Sequence, residues 1–187
     1  MTREIVLLGG GHAHVHVLLE FGRRPLPGAR ITLVTRDLAT PYSGMLPGVI
    51  AGLYRRDEAH IDLARLCAAT NARLVHAQAI GLQRADRRVH LAQQPPISYD
   101  LLSIDVGIEP KLDGIEGARR HGIAVKPIGA FLEKFDALRD RCRAAGGPRR
   151  IAVVGGGAGG VELLLSLRTR LCAEASDPDA FSFALVT

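Results

Sequence analysis

An α/β fold of parallel strands joined by crossover helices is predicted by three observations. Two short apolar runs each end in three consecutive glycines, Ile5-Val6-Leu7-Leu8-Gly9-Gly10-Gly11 and Ile151-Ala152-Val153-Val154-Gly155-Gly156-Gly157. Each is followed by an apolar helical stretch, which is the order of a buried strand, a tight turn and a helix. The opening also recurs: at an offset of 146 residues Val15-His16-Val17-Leu18-Leu19 falls on Val161-Glu162-Leu163-Leu164-Leu165. The chain therefore writes the first half of a doubly wound unit twice.

The remaining elements follow in order. A first strand and helix over about residues 3–24 lead through Pro25, Pro27 and Gly28 into a strand at 30–35. Thr40-Pro41-Tyr42-Ser43-Gly44-Met45-Leu46-Pro47-Gly48 reads as a loop, and residues 60–70 as a short helix with Asp62 near its start. Arg73 to Leu82 and Val89 to Gln93 alternate like a hairpin around Ala85-Asp86-Arg87. After Pro95-Pro96, Tyr99 to Gly107 reads as a buried strand ending in glycine, and Phe131 to Arg143 as an amphipathic helix. Gly146-Gly147-Pro148 marks the join to the second copy, whose last run, Phe183 to Thr187, matches Ile31 to Thr35. The predicted domains are residues 1–147 and 148–187.

A glycine turn between a strand and a helix aims backbone N–H groups and the positive helix end at a pyrophosphate. Gly155, Gly157 and Gly160 complete G-x-G-x-x-G, with glycine where the turn is tight, where backbone meets phosphate and where helix meets strand. In the first copy Gly9, Gly11, His12 and Ala13 form the corresponding turn, but His14 stands at the third glycine. The acid that usually bonds the ribose hydroxyls is displaced too: Thr35 ends the second strand and Asp37 follows in the loop. Glu162 begins the second helix just past its turn. The bland alternatives are glycine turns with no ligand, a solvated loop aspartate and a helix-end carboxylate. His12, His14 and His16 suggest a metal only superficially, because on a helix just His12 and His16 share a face. No metal is expected.

Composition narrows the classes. The chain has 187 residues, 47% hydrophobic, enough for one full domain and a fragment of another. Its net charge of +5 is spread as arginine pairs, with no block of like charge or aromatic-interleaved basic stripe, so nucleic-acid binding is not expected. Cys67, Cys142 and Cys172 are odd in number and widely spaced, which argues against a disulfide framework and for a reducing cytoplasm. The start lacks a charged-then-apolar signal region, and no apolar run reaches the roughly 18–20 residues that span a bilayer.

The order of these elements resembles the pyridine nucleotide-disulfide oxidoreductase superfamily, whose members carry two dinucleotide sites. The words Gly-Gly-Gly-His-Ala-His-Val and Thr-Pro-Tyr-Ser-Gly-Met-Leu-Pro-Gly are similar to the type II NADH dehydrogenase-like branch, in particular flavoproteins fused ahead of selenophosphate synthetase. The resemblance implies a Rossmann-like FAD-binding domain with a small β-meander, then the first β-α-β unit of a second Rossmann NAD(P)-binding domain. It implies FAD on Gly9 to His14, with Thr35 or Asp37 at the ribose, backbone near Gln78 and Ala79 at the adenine, and Tyr42 and Ser43 in the cofactor set. Asp105, Val106 and Gly107 fall where that superfamily has an Ala-Thr-Gly turn beside the flavin. NAD(P)H falls on Gly155, Gly157 and Gly160, with Glu162 facing the nicotinamide. Disulfide reductases of the superfamily place a redox Cys pair after the second strand. This chain has no cysteine between Met1 and Leu66, which removes that chemistry from this position.

The implied activity is an FAD-dependent NAD(P)H dehydrogenase passing electrons to a quinone or another small-molecule acceptor, in the cytoplasm or peripherally on the cytoplasmic face of the membrane. The rival reading is a non-catalytic nucleotide-binding module attached to a partner enzyme. A second Rossmann unit needs more parallel strands than residues 149–187 supply. The chain is therefore expected to be the front part of a longer protein, weak as an enzyme alone and prone to self-association. Any membrane contact would come through later segments.

Overall fold

The computed structural model describes residues 2–187. Its elements run β1 (Arg3–Leu8), α1 (His12–Arg23), β2 (Ala29–Thr35), β3 (Ala39–Pro41), α2 (Leu46–Ala51), β4 (His60–Asp62) and α3 (Leu63–Ala69). They continue with β5 (Arg73–His76), β6 (Ala79–Gln83), β7 (Arg88–Leu91), β8 (Gln94–Ser98), β9 (Leu101–Ile104), α4 (Ala118–His121) and α5 (Ile128–Arg143). The chain closes with β10 (Arg150–Val154), α6 (Ala158–Ala173) and β11 (Ser182–Val186). The described residues form two compact units, one of residues 2–40 and 60–107, the other of 41–59 and 108–187.

The first unit is built on a parallel sheet of order β5-β2-β1-β9. Strand alternation sends neighbours to opposite faces. Leu7 and Leu33 join Val15, Leu18, Leu63 and Cys67 on the face covered by α1 and α3. Val6, Val34 and Val75 join Val89 and Leu91 beneath the antiparallel meander β6-β7-β8 on the other face. Chain order steps outward from β1 to β2 and β5, then returns to β9 on the far side of β1. The order therefore reverses between β1 and β9, and the carboxyl ends of these two strands frame the crevice where such sheets bind ligands.

In the second unit β10 and β11 pair in parallel, Ile151 opposite Phe183 and Val153 opposite Leu185. Their covered face meets α6, α5 and α2 through Leu163, Leu167, Phe131, Phe135 and Ile50. Helix α5 precedes the Gly146-Gly147-Pro148 landmark, yet its buried residues belong to this core. Among the apolar residues at the start of α6, Leu163 is buried whereas Val161 and Leu165 are exposed.

Four expectations are corrected. The Thr40–Gly48 segment is no loop throughout: Ser43–Met45 is a 3₁₀ turn and α2 starts at Leu46, with Pro47 in its first turn where a missing N–H costs nothing. Its burial of Ile50 is what makes a helix of a segment whose residues read as turn formers. Residues 60–70 begin with a short strand, and the helix starts at Leu63 with Asp62 accepting the Arg65 N–H as its cap. The hairpin is a three-stranded meander, because Arg73–His76 joins the parallel sheet and Gln94–Ser98 pairs with β7. Pro95 and Pro96 are tolerated in β8 because it is an edge strand. Finally, β9 is an edge strand of four residues, Leu102 and Ser103 half-buried and Leu101 and Ile104 exposed, instead of a buried strand reaching from Tyr99 to Gly107.

Candidate functional site

At the β1/β9 crevice the turn is fixed from both sides. Gly9 adopts φ +97 and donates its N–H to the Val34 carbonyl at 2.8 Å. A Cβ there would strike the Asp105 carbonyl, so only glycine lets the strand ends approach. Helix α1 has Gly11 as its N-cap, with no side-chain cap and no acid in its first turn. Its orphan donors are met from 92 residues away: Asp105 Oδ2 accepts from the Ala13 N–H at 3.1 Å and, more weakly, from the His14 N–H at 3.4 Å. The same carboxylate lies against Gly11, where a Cβ would clash with it. The start of α1 thus gathers an anion on its backbone donors, which is what a dinucleotide pyrophosphate requires.

His14 explains how this copy dispenses with its third glycine. The side chain is buried, Nδ1 lies 2.7 Å from the Gly9 carbonyl and Nε2 2.9 Å from Ser103 Oγ. A carbonyl only accepts, so Nδ1 carries the proton, and in the neutral ring Nε2 accepts from the Ser103 hydroxyl. The imidazole ties the helix start to the ends of both strands.

The other expected residues of this site are distributed around it. Thr35 is buried at the end of β2; its hydroxyl donates to the Asp37 carbonyl at 2.9 Å, closing a small turn. The exposed Asp37 carboxylate pairs with its neighbour Arg36 at 3.1 Å, so a ribose would have to compete with a surface ion pair. Gln78 uses its carbonyl to accept from Ala92 N–H at 2.8 Å, and Ala79 starts β6 opposite Leu91. Val106 is 67% exposed, and Gly107 at φ +77 has open space where a Cβ would sit. His12 opens α1 beside the turn.

The second unit repeats the turn with a different inner solution. Gly155 adopts φ +118 and donates to the Val186 carbonyl at 2.8 Å, the counterpart of Gly9 and Val34. A Cβ at Gly160 would strike the Gly155 carbonyl, so here the helix start closes directly on the strand end. No heavy atom stands where a Cβ would project from Gly155, Gly157 or Gly159, and the turn opens onto a cavity of about 410 Å³. Mostly apolar residues line it, including Leu46, Val125 and Ile128, with two charges, Glu162 and Lys126. Both are exposed, and neither appears in an ion pair among the described residues. Ser43 lines this cavity through the 3₁₀ turn before α2, whereas Tyr42 rests against Gly44. Lys126 was not anticipated from the sequence, since nothing in its local pattern marks it beyond the scarcity of lysine in this chain.

A second cavity, about 320 Å³, is lined by Arg55, Arg56, Arg139 and Arg170. These guanidinium groups are committed to Asp57, Asp136 and Glu174, so the cavity is the edge of an ionic network. At its centre Glu174 takes Arg139 at 2.5 Å, Arg170 at 2.6 Å and Arg143 at 3.0 Å. Burial pushes its carboxyl up, but the three arginines outweigh that and hold it below the usual range. Burial pushes the Cys67 thiol up, and does the same to Cys142 against the opposing charges of Arg149 and Arg141. Among the described residues no three His, Cys, Asp or Glu side chains stand together as a metal site, and no helix is long and apolar enough to cross a membrane.

The residue pattern of the pyridine nucleotide-disulphide oxidoreductase family matches residues 3–175. The NADH dehydrogenase-like protein YutJ of Bacillus subtilis is 28% identical over 175 residues, and the probable ferredoxin reductase CtmF of Castellaniella defragrans 28% over 173. Each alignment takes in 89% of this chain but only 45% and 40% of those proteins, so the chain spans less than half of their length. In fold it is similar to the NDH2 of Plasmodium falciparum solved with NADH, with TM-score 0.82 at 18% identity over 99% of this chain and 42% of that one. It is also similar to the sulfide:quinone oxidoreductase of Aquifex aeolicus, with TM-score 0.76 at 20% identity over 98% of this chain and 43% of that one. With its two glycine turns, its meander and a family match across nearly its whole length, the chain belongs to the pyridine nucleotide-disulphide oxidoreductase family.

Proposed function

We propose that this chain is the nucleotide-binding front of an FAD-dependent NAD(P)H dehydrogenase that passes electrons to a quinone or another small acceptor. FAD and NAD(P)H are the cofactors of the family. The observation that carries the reading is the pair of strand–glycine–helix turns: one presents the Ala13 and His14 N–H groups, which hold the chain's own Asp105 carboxylate, and the other opens onto a cavity of nucleotide-fragment size. When bound, the flavin supplies the hydride-accepting and electron-transferring chemistry.

The protein's own residues have binding and orienting tasks. The Ala13 and His14 N–H groups would hold the FAD pyrophosphate, and Gln78 and Ala79 would meet the adenine. Thr35 and Asp37 would meet the ribose, Asp105 would stand beside the phosphates, and Val106 and Gly107 would lie along the flavin side. Gly155, Gly157 and Gly160 would admit the NAD(P)H phosphates, Ser43 lies in the same cavity, and Glu162 would orient the nicotinamide carboxamide. The position after β2, where disulfide reductases of the superfamily place a redox Cys pair, carries no cysteine, since none precedes Cys67.

The experiment is purification of the longer protein, release of its ligand by heat, chromatography of the ligand and an NADH oxidation assay with a soluble quinone. FAD together with NADH oxidation is expected, and Gly11→Val should abolish flavin retention because its side chain would fill the phosphate approach. A colourless protein without NADH oxidation would return the chain to a binding module.

A further inference from the structure

We propose that Asp105 is an internal anion that competes with the dinucleotide phosphates for the start of α1 and so sets how tightly FAD is held. This rests on the reading of the first turn as the FAD site.

The argument begins with donors. A helix start leaves its first N–H groups without intrahelical partners, and α1 offers no capping side chain of its own. Asp105 supplies the missing acceptor from just beyond β9, through Oδ2 to Ala13 and His14. It is anchored for this, because its own N–H donates to the Leu8 carbonyl at 2.8 Å and its carbonyl lies over Gly9. The carboxylate also stands against Gly11, the residue whose missing side chain gives a phosphate its approach. One anion can take that place at a time. A pyrophosphate reaching the Ala13 N–H must turn the Asp105 side chain away and then bear a like charge close by.

The consequence is a threshold. A tethered carboxylate is present at high effective concentration and excludes weakly bound single anions. A dinucleotide gains its adenine and flavin contacts as well, and displaces it. FAD affinity is therefore lower than the bare turn would give, and the apoprotein keeps its helix start capped.

The test uses the longer protein stripped of flavin, titrated with FAD by quenching of flavin fluorescence at low and high salt, with Asp105→Asn and Asp105→Ala. Asparagine keeps an oxygen acceptor at nearly the same size and removes the charge. We expect Asp105→Asn to bind FAD on the order of 10-fold more tightly than wild type at low ionic strength, with the ratio shrinking as salt screens the repulsion. Asp105→Ala should also bind FAD more tightly, while its apoprotein melts at lower temperature for want of the cap. Equal or weaker FAD binding by Asp105→Asn overturns the proposal and makes Asp105 a plain structural cap. If wild type and variants alike fail to take up FAD, the assignment of the site falls, and the proposal with it.

Discussion

His14 Nδ1 lies 2.7 Å from the carbonyl oxygen of Gly9, and that hydrogen bond replaces a bare helix-to-strand contact. In the second copy the equivalent pair is Gly160 and Gly155, where the same carbonyl leaves no room for a Cβ. One turn is closed by a side chain and the other by the lack of one. The first is thereby also tied to β9 through Ser103.

Replacing the imidazole tests that closure. His14→Ala removes two buried hydrogen bonds and leaves a void, and should destabilise the protein by about 2–4 kcal/mol. Thermal unfolding of the apoprotein checks this, and the loss should persist in 0.5 M salt because neither bond is an ion pair. A melting temperature equal to wild type would mean that the helix start is held by the Asp105 bonds alone.

Glu162 lines the second cavity without an ion-pair partner among the described residues. If it orients the nicotinamide carboxamide, Glu162→Gln in the flavin-loaded protein should slow flavin reduction on the order of 10-fold, about 1.4 kcal/mol of transition-state stabilisation. FAD content should stay unchanged. Stopped-flow reduction at saturating NADH is the measurement, and an unaltered rate would leave Glu162 as a charge complementing the start of α6.

Lys126 is the single cation lining that cavity. As a cation beside the site proposed for NAD(P)H, it should govern binding more than chemistry. Lys126→Met should raise KM for NADH roughly 10-fold with kcat nearly constant, the pattern of a lost uniform binding contact. A fall in kcat at unchanged KM would contradict this role.

The thiols should be bystanders. Cys67 and Cys142 are buried with their thiols pushed up by burial, whereas Cys172 is partly exposed. A thiol reagent should therefore modify Cys172 first, with the other two reacting only on unfolding. Dithionite titration should take up two electrons per flavin, and uptake of four would reveal a second redox centre.

Glu174 gives the chain a defined acid sensitivity. Its folded-state carboxyl is held below the unfolded value, so its stabilisation is complete above the usual glutamate range and is lost as pH falls through the lowered folded value. Glu174→Gln should cost roughly 1–2 kcal/mol at neutral pH, because three arginines lose their common partner. The difference between variant and wild type should begin to shrink near about pH 4, the unfolded glutamate range, and vanish only below the lowered folded value. Urea unfolding at a series of pH values checks both statements.

The amino-acid order alone determined the repeated strand–glycine–helix unit, because a buried strand, a positive-φ glycine and an amphipathic helix each leave a short-range imprint. Gly9, Gly11, Gly155, Gly157 and Gly160 were legible for that reason, and so was the capping acid Asp62. Tertiary structure decided what depends on partners distant in the chain. Helix α2 exists because Ile50 finds a core with Phe131 and Leu163, although its residues read as a loop. Arg73–His76 left the expected hairpin because β2 offers a parallel edge. Lys126 reaches the second cavity from a segment with no local signature. Asp105 looked like a misspelt Ala-Thr-Gly turn in sequence. Folding brings β9 beside β1, and the carboxylate meets an uncapped helix 92 residues earlier, a relation no local pattern encodes because the charge and its donors are joined only through the sheet.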